Sequence, residues 1–215
     1  MAITLSTGTV IAIAKTYATA DPVSNMSNAT ECVCTVLAGH GIVDGDYVEV
    51  TAGWGRLDQR IARIKSSAAT TVTLEGIDTS NTTLYAGTST GSLRVITEWE
   101  NLSQLKSMST SGGDQQYADI TAIDDVVTKQ APTVRSAVSM SIEVFDDPSL
   151  AWYNTVQAAS ESSVPRGIKL TTPNGAKTVG NTYWSQSAVP NIAKNDAVTT
   201  KIDLSYASQP TRYAS

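Results

Sequence analysis

The chain has 215 residues, enough to bury a sizeable core, and carries a formal net charge of −5 with 41% apolar but only 6% aromatic residues. This acidic balance excludes a protein that grips phosphate backbones, because such binding needs Lys and Arg to displace counterions. Ser and Thr together make up about a quarter of the residues, which favours a Thr- and Val-rich β protein.

In chain order, Ile3 to Ala14 starts in loose alternation and ends in a continuous apolar run, the pattern of a strand that becomes buried on both faces. Residues 17–30 are rich in Ala, Asn, Ser, Thr and Asp and include Pro22, so an exposed loop is expected. From Glu31 to about Asn81, the segments ECVCTVLA, DYVEVT, RIARIK and TTVTLEG read as short strands separated by Gly-flanked turns. This meander at 31–81 is either integral to a single domain spanning 1–215 or a small inserted β module. Its charged residues Asp44, Asp46, Glu49, Arg56, Arg60, Arg63 and Lys65 form either a solvated face or a docking edge for a neighbouring copy. Ser92 to Trp99 reads as a strand, Asn101 to Gly113 as a weakly helical connector, and Gln116 to Ile123 as a further strand.

Pro132 to Pro148 carries the strongest pattern. Val134, Val138, Met140, Ile142 and Val144 share one parity with Ser136, while Arg135, Ser139, Ser141 and Glu143 fall on the other. One long strand from Thr133 to Phe145 is therefore expected, roughly 43 Å in length, dry on one face and wet on the other. Asp146-Asp147-Pro148 should end it and cap a helix, in which Leu150, Trp152, Tyr153 and Val156 form the apolar face. Strands follow over Arg166–Thr172, Ala176–Ser185 and Val198–Tyr206, the last with Thr199, Lys201, Asp203 and Ser205 facing out.

Motifs for chemistry are weak. Gly87-Thr88-Ser89-Thr90-Gly91 satisfies the nucleophile-elbow string, but a strand rather than a helix follows it, and the only histidine, His40, precedes it in the chain. His40 lies between two glycines and reads as turn filler. Cys32 and Cys34 have no second pair to complete a zinc site, so ordinary thiols are expected. No enzyme, metal or cofactor is expected. The N-terminus lacks a signal-peptide pattern and no apolar run approaches roughly 18 residues, so the expectation is a soluble protein with no membrane contact.

The segment QQYADITAIDDVVTKQAPTVRSAVSMSIEVFDDPSLAWYNTVQAA, followed by the closing strand AVTTKIDLSYASQP, resembles the major tail tube proteins of bacteriophages with long non-contractile tails. The resemblance covers half to two-thirds of the chain and rests on the order of its elements rather than on signature residues. It implies a mainly β fold, an antiparallel β-sandwich or barrel with one flanking α-helix, whose long strands join a ring-wide inner β-barrel in the assembly. It also implies a structural virion protein, made in the host bacterial cytoplasm, that forms stacked, hexameric rings. These would guide DNA without binding it specifically and would contact the tape measure, tail terminator and tail-tip proteins. On that basis Asp119, Thr121, Arg135, Ser139, Ser141 and Glu143 are expected to face the lumen, with loop 17–30 and the meander's charges at contacts between copies. Two rivals stand beside it: another virion part, such as a head-to-tail connector or a capsid decoration protein, and a carbohydrate-binding sandwich using Trp54, Trp99, Trp152 or Trp184.

Overall fold

The computed structural model describes residues 7–214. Its strands in the first half of the chain are β1 (Val10–Tyr17), β2 (Asp21–Met26), β3 (Val33–Val36), β4 (Tyr47–Ala52), β5 (Ile61–Ala68), β6 (Thr71–Leu74) and β7 (Ser89–Leu102). Then come β8 (Leu105–Ser111), β9 (Gln115–Asp119), β10 (Gln130–Arg135), β11 (Ser139–Phe145), helix α1 (Ala151–Ser162), β12 (Arg166–Thr171), β13 (Lys177–Gln186), β14 (Thr199–Tyr206) and β15 (Thr211–Tyr213). All pairings are antiparallel, so the expected mainly β class with one helix is what forms. The expected strand over Ile3–Ala14 begins at Val10, and its first residues, 3–6, lie outside the described part.

Strands β2, β3, β6, β5, β4 and the first half of β7 close a six-stranded barrel, because β2 pairs with both β3 and β7. Closure removes open edges and leaves a dry interior of Met26, Val48, Val50, Leu57, Ile64, Val72, Leu74 and Leu93. Cys32 and Cys34 are also in it, both free and fully buried. The hydrogen bond with Cys32, together with burial, pushes the Cys34 thiol far up. Because both sulfurs are fully buried, native protein should resist thiol reagents, with two reactive groups appearing only on unfolding; rapid labelling of folded protein would contradict this packing.

Residues 17–30 are not the exposed loop the sequence suggested. Tyr17 ends β1, Asp21 to Met26 form a barrel strand, and Val23 and Met26 are buried. A register irregularity between Val23 and Asn25 spaces the two buried residues by three, which hides the strand from a period-two test.

At Gly91, β7 is flanked on both sides, with Val23 opposite in β2 and Ala52 in β4. A Cβ there would fall 1.8 Å from the Thr51 carbonyl oxygen, so only glycine allows the strands to meet.

Beyond the barrel, β7 continues into a second sheet in the order β7-β1-β12-β13-β14-β11-β8, with β15 beside β13. One face of this sheet is dry. Ile11, Ile13, Ile142, Val144, Ile168, Trp184, Ile202 and Leu204 meet Trp152, Val156 and Ala159 of α1 there. The helix starts three residues after Pro148, with Leu150 at its N-cap and no side-chain cap bond. Asp147 instead closes the preceding turn by accepting the Ser149 amide at 3.0 Å and its hydroxyl at 2.6 Å.

The seam between barrel and sheet buries a third apolar cluster of Ala14, Tyr47, Ile61, Ile96, Val179 and Tyr213, and polar contacts cross-link it. Asn181 on β13 donates to Glu49 on β4 at 2.7 Å, and Arg94 on β7 pairs with the same carboxylate while lying 4.2 Å from the Tyr17 ring centre. Arg60 donates to Thr211 at 2.8 Å, and the Tyr213 hydroxyl accepts the Arg63 amide at 2.8 Å.

The single long strand expected over Thr133–Phe145 is broken. Residues 130–135 form β10, 139–145 form β11, and the stretch between belongs to neither. The cause sits across the ladder, where Gly112 and Gly113 both take positive φ (82° and 84°) and turn the partner strand. A Cβ on Gly112 would come within 2.1 Å of the Ala137 carbonyl oxygen, so the bend depends on glycine. Hydrogen bonds from the Gly113 amide to the Ser136 carbonyl (3.2 Å) and from the Ser136 amide to the Asp114 carbonyl (2.9 Å) carry the pairing across it. The result is one bent hairpin: β8 and β11 lie within the sheet, while β9 and β10 pair only with each other. Accordingly Asn101–Gly113, expected as a helical connector, is the end of β7, a turn at Gln104 and strand β8.

Candidate functional site

The sheet face opposite α1 is wet and lined by small hydroxyls. Period-two alternation buries Met140, Ile142 and Val144 of β11 and turns Ser139, Ser141 and Glu143 outward. Register extends each across the sheet: Ser141 faces Ser109 on β8 and Asp203 on β14, which faces Ser185 on β13. Ser139 likewise lies between Ser111 and Ser205, with Tyr183 beyond. Together they line a shallow depression of 490 Å³.

Charges on this face are few and paired. Glu143 accepts the Thr199 hydroxyl at 2.9 Å and the Lys106 ammonium at 3.3 Å, which hold its carboxyl below the usual range. At Asp203, partial burial pushes the carboxyl up, but the Ser141 hydroxyl and Lys201 at 3.0 Å outweigh it. Both acids are therefore ionised at neutral pH, leaving a hydrophilic wall without a cluster of unpaired cations.

The second feature is the detached hairpin of β9 and β10. Asp119 accepts the Thr121 amide and hydroxyl (2.9 and 2.5 Å), and the Thr121 hydroxyl accepts the Lys129 amide at 2.9 Å, closing the far end. Asp125 pairs with Lys129. Tyr117, Ile120, Ile123, Val126, Val127 and Val134 are all exposed, six of the 17 large exposed apolar side chains found among the described residues. Their concentration on one projecting arm marks a contact surface rather than ordinary scatter.

The six residues expected on one lumen face thus divide. Ser139, Ser141 and Glu143 share the sheet face, whereas Asp119, Thr121 and Arg135 lie on the arm. Ser107, Ser109, Ser111, Tyr183 and Ser185 also belong to the wet face, and the exposed β8 residues among them carry no burial alternation that would have marked the strand.

The charges named on the barrel mostly serve their own chain. Asp44 accepts the Ser67 amide (2.6 Å), Asp46 the Val43 amide (3.0 Å), Lys65 meets Glu31 (2.6 Å), and Arg63 pairs with Glu75. Glu49 and Arg60 are at the seam already described; Arg56 is exposed. Trp54, Trp152 and Trp184 are buried, and the partly buried Trp99 packs edge-on against Tyr47, so none of the four tryptophans presents an open ring face for sugar stacking. Ser89 of the elbow-like string is buried and accepts the Gly53 amide at 2.9 Å, and His40 accepts the Ile42 amide within its turn and bonds to the Ala68 carbonyl at the end of β5. Among the described residues no group of three metal-ligating side chains occurs and no helix is long and apolar enough to cross a membrane.

A family model for phage tail tube proteins matches residues 52–215, three-quarters of the chain. The chain belongs to the phage tail tube protein family. No curated protein sequence matches it. As a tail tube protein it is a structural component of the virion tail, in a family that is not a class of enzymes. The match takes in helix α1, the bent hairpin, every strand of the second sheet except β1, and strands β5, β6 and β7 of the barrel, so both the wet face and the arm lie within it.

Proposed function

We propose that copies of this chain assemble into stacked, hexameric rings that form the tail tube, with the hydroxyl-lined face of β8, β11, β14 and β13 turned to the lumen. The observation that carries the reading is that sheet's asymmetry: a dry side sealed by α1, a wet side of Ser and paired charges, and β8 at an unpaired edge. An open edge is a hazard in a solitary protein and is relieved when neighbouring sheets close a circle. Small hydroxyls and paired acids offer DNA no phosphate grip, which suits a conduit. The lumen would hold the tape measure protein before DNA passes, and terminator and tip proteins would cap the ends.

Purified protein, concentrated and imaged by electron microscopy, is expected to form hollow tubes of uniform diameter. A solution that stays monomeric at every concentration and salt would overturn the reading. The lumen assignment has its own check. Ser109 and Ser141 are cross-strand partners, so Ser109→Lys with Ser141→Lys places two cations side by side on the wall. Phage carrying both should eject DNA several-fold more slowly at low salt, recovering as salt screens the charge. Unchanged ejection would place this face elsewhere.

A further inference from the structure

We propose that the tip of the β9–β10 arm of one copy, centred on Asp124, inserts into a cleft at the base of the same arm on a second copy, where Arg56 and Arg135 receive it. The proposal deepens the assembly reading above and rests on it. The cleft, of 530 Å³, lies between the barrel and the arm and is lined by Arg56, Gln115, Thr133, Val134, Arg135 and Gln209. Among the described residues, neither arginine has an ion-pair or hydrogen-bond partner for its side chain, although the chain as a whole is acidic. Two guanidinium groups turned toward one space repel each other until an anion sits between them, and their planar forks suit a carboxylate.

The arm's other end supplies the complement. Asp125 is engaged by Lys129, but Asp124 beside it is exposed and unpaired, set among the exposed Ile123, Val126 and Val127. Val134, itself 73% exposed at the cleft, offers those side chains an apolar surface. The tip cannot reach its own cleft. The ladder runs from Arg135 opposite Gln115 to Gln130 opposite Asp119, so the two ends are separated by at least about 13 Å of paired strand. Two different, mutually complementary patches on one chain make a heterologous contact, which generates rings or open filaments rather than closed dimers.

The test uses the full-length protein and charge reversal. Arg56→Glu with Arg135→Glu, and separately Asp124→Lys, should raise the concentration needed for assembly at least tenfold, read by sedimentation, while circular dichroism stays that of the wild type. The triple variant carrying all three reversals should recover assembly. Wild-type assembly by Arg56→Glu/Arg135→Glu, or no recovery in the triple variant, overturns the pairing while leaving ring formation intact. Wild-type protein that never assembles sinks the underlying reading as well. Normal assembly with loss of duplex DNA binding would mark the cleft as a phosphate site and overturn the proposal too. A second measurement is independent of charge: Val126→Cys with Val134→Cys should give a ladder of disulfide-linked multimers under mild oxidation, the native thiols being buried. A monomer band alone would count against the docking.

Discussion

Replacing residues 115–135 with a two-residue Asn-Gly turn is expected to leave a folded monomer that no longer polymerises. The excision point is set by the ladder itself. Asp114 and Ser136 face each other at the bend, with the Ser136 amide bonded to the Asp114 carbonyl at 2.9 Å and the Asp114 amide to the Ser136 hydroxyl at 3.0 Å, so a tight reversal can join them. Nothing in the three buried clusters comes from 115–135. The thermal midpoint should therefore move by a few degrees at most, while six exposed apolar side chains, the Asp124 tip and the arm's share of the receiving cleft, Arg135 included, are removed. Analytical ultracentrifugation and electron microscopy would read the outcome. Tubes growing as in the wild type would show the arm to be dispensable, whereas an unfolded product would show that it contributes to the core after all.

Trp152→Ala should be the costliest single change among the residues discussed. The indole is 2% exposed, fixed between α1 and the sheet among Ile11, Ile13, Ile168 and Trp184, with its nitrogen donating to the Ser103 hydroxyl at 3.2 Å. Truncating a buried Trp costs about 3–5 kcal/mol, a large part of the roughly 5–15 kcal/mol that holds a domain folded. Denaturant titration would measure it directly. Tyr183 on the opposite face, 44% exposed, is the control and should cost about 1 kcal/mol or less when truncated. Equal losses at both positions would contradict the division of the sheet into a dry and a wet face.

What the sequence made legible follows from how local each signal is. The four meander strands after Glu31 were readable because glycines punctuate them, with Gly39, Gly41, Gly45 and Gly76 all taking the positive φ their turns require. The helix face at Trp152 and Val156 was readable from its spacing, but its start was not, because Asp147 spends its carboxylate on the turn before. Strand β2 was missed since Pro22 and a register irregularity obscure its alternation, although Pro22 pairs with Ser92 in the barrel wall. Strand β8 was missed for a different reason: nearly every side chain in it is exposed, and only its pairing with β11 makes it a strand. The long ribbon failed at a point fixed by its partner, since parity continues unbroken through residues 136–138 while the glycines that bend it are more than twenty residues earlier. The same bend divided the expected lumen set, leaving Ser139, Ser141 and Glu143 on the sheet and moving Asp119, Thr121 and Arg135 to the arm.

Strand β7 belongs to two bodies at once, its first half a stave of the barrel and its second half a member of the open sheet, with Glu49, Arg94 and Asn181 bracing the passage. Tilting one body against the other would shear a continuous run of backbone hydrogen bonds, so each subunit behaves as a stiff block. Any flexure of a tail built from such blocks must then occur at the joints between them, and its bending modulus would report on those joints alone.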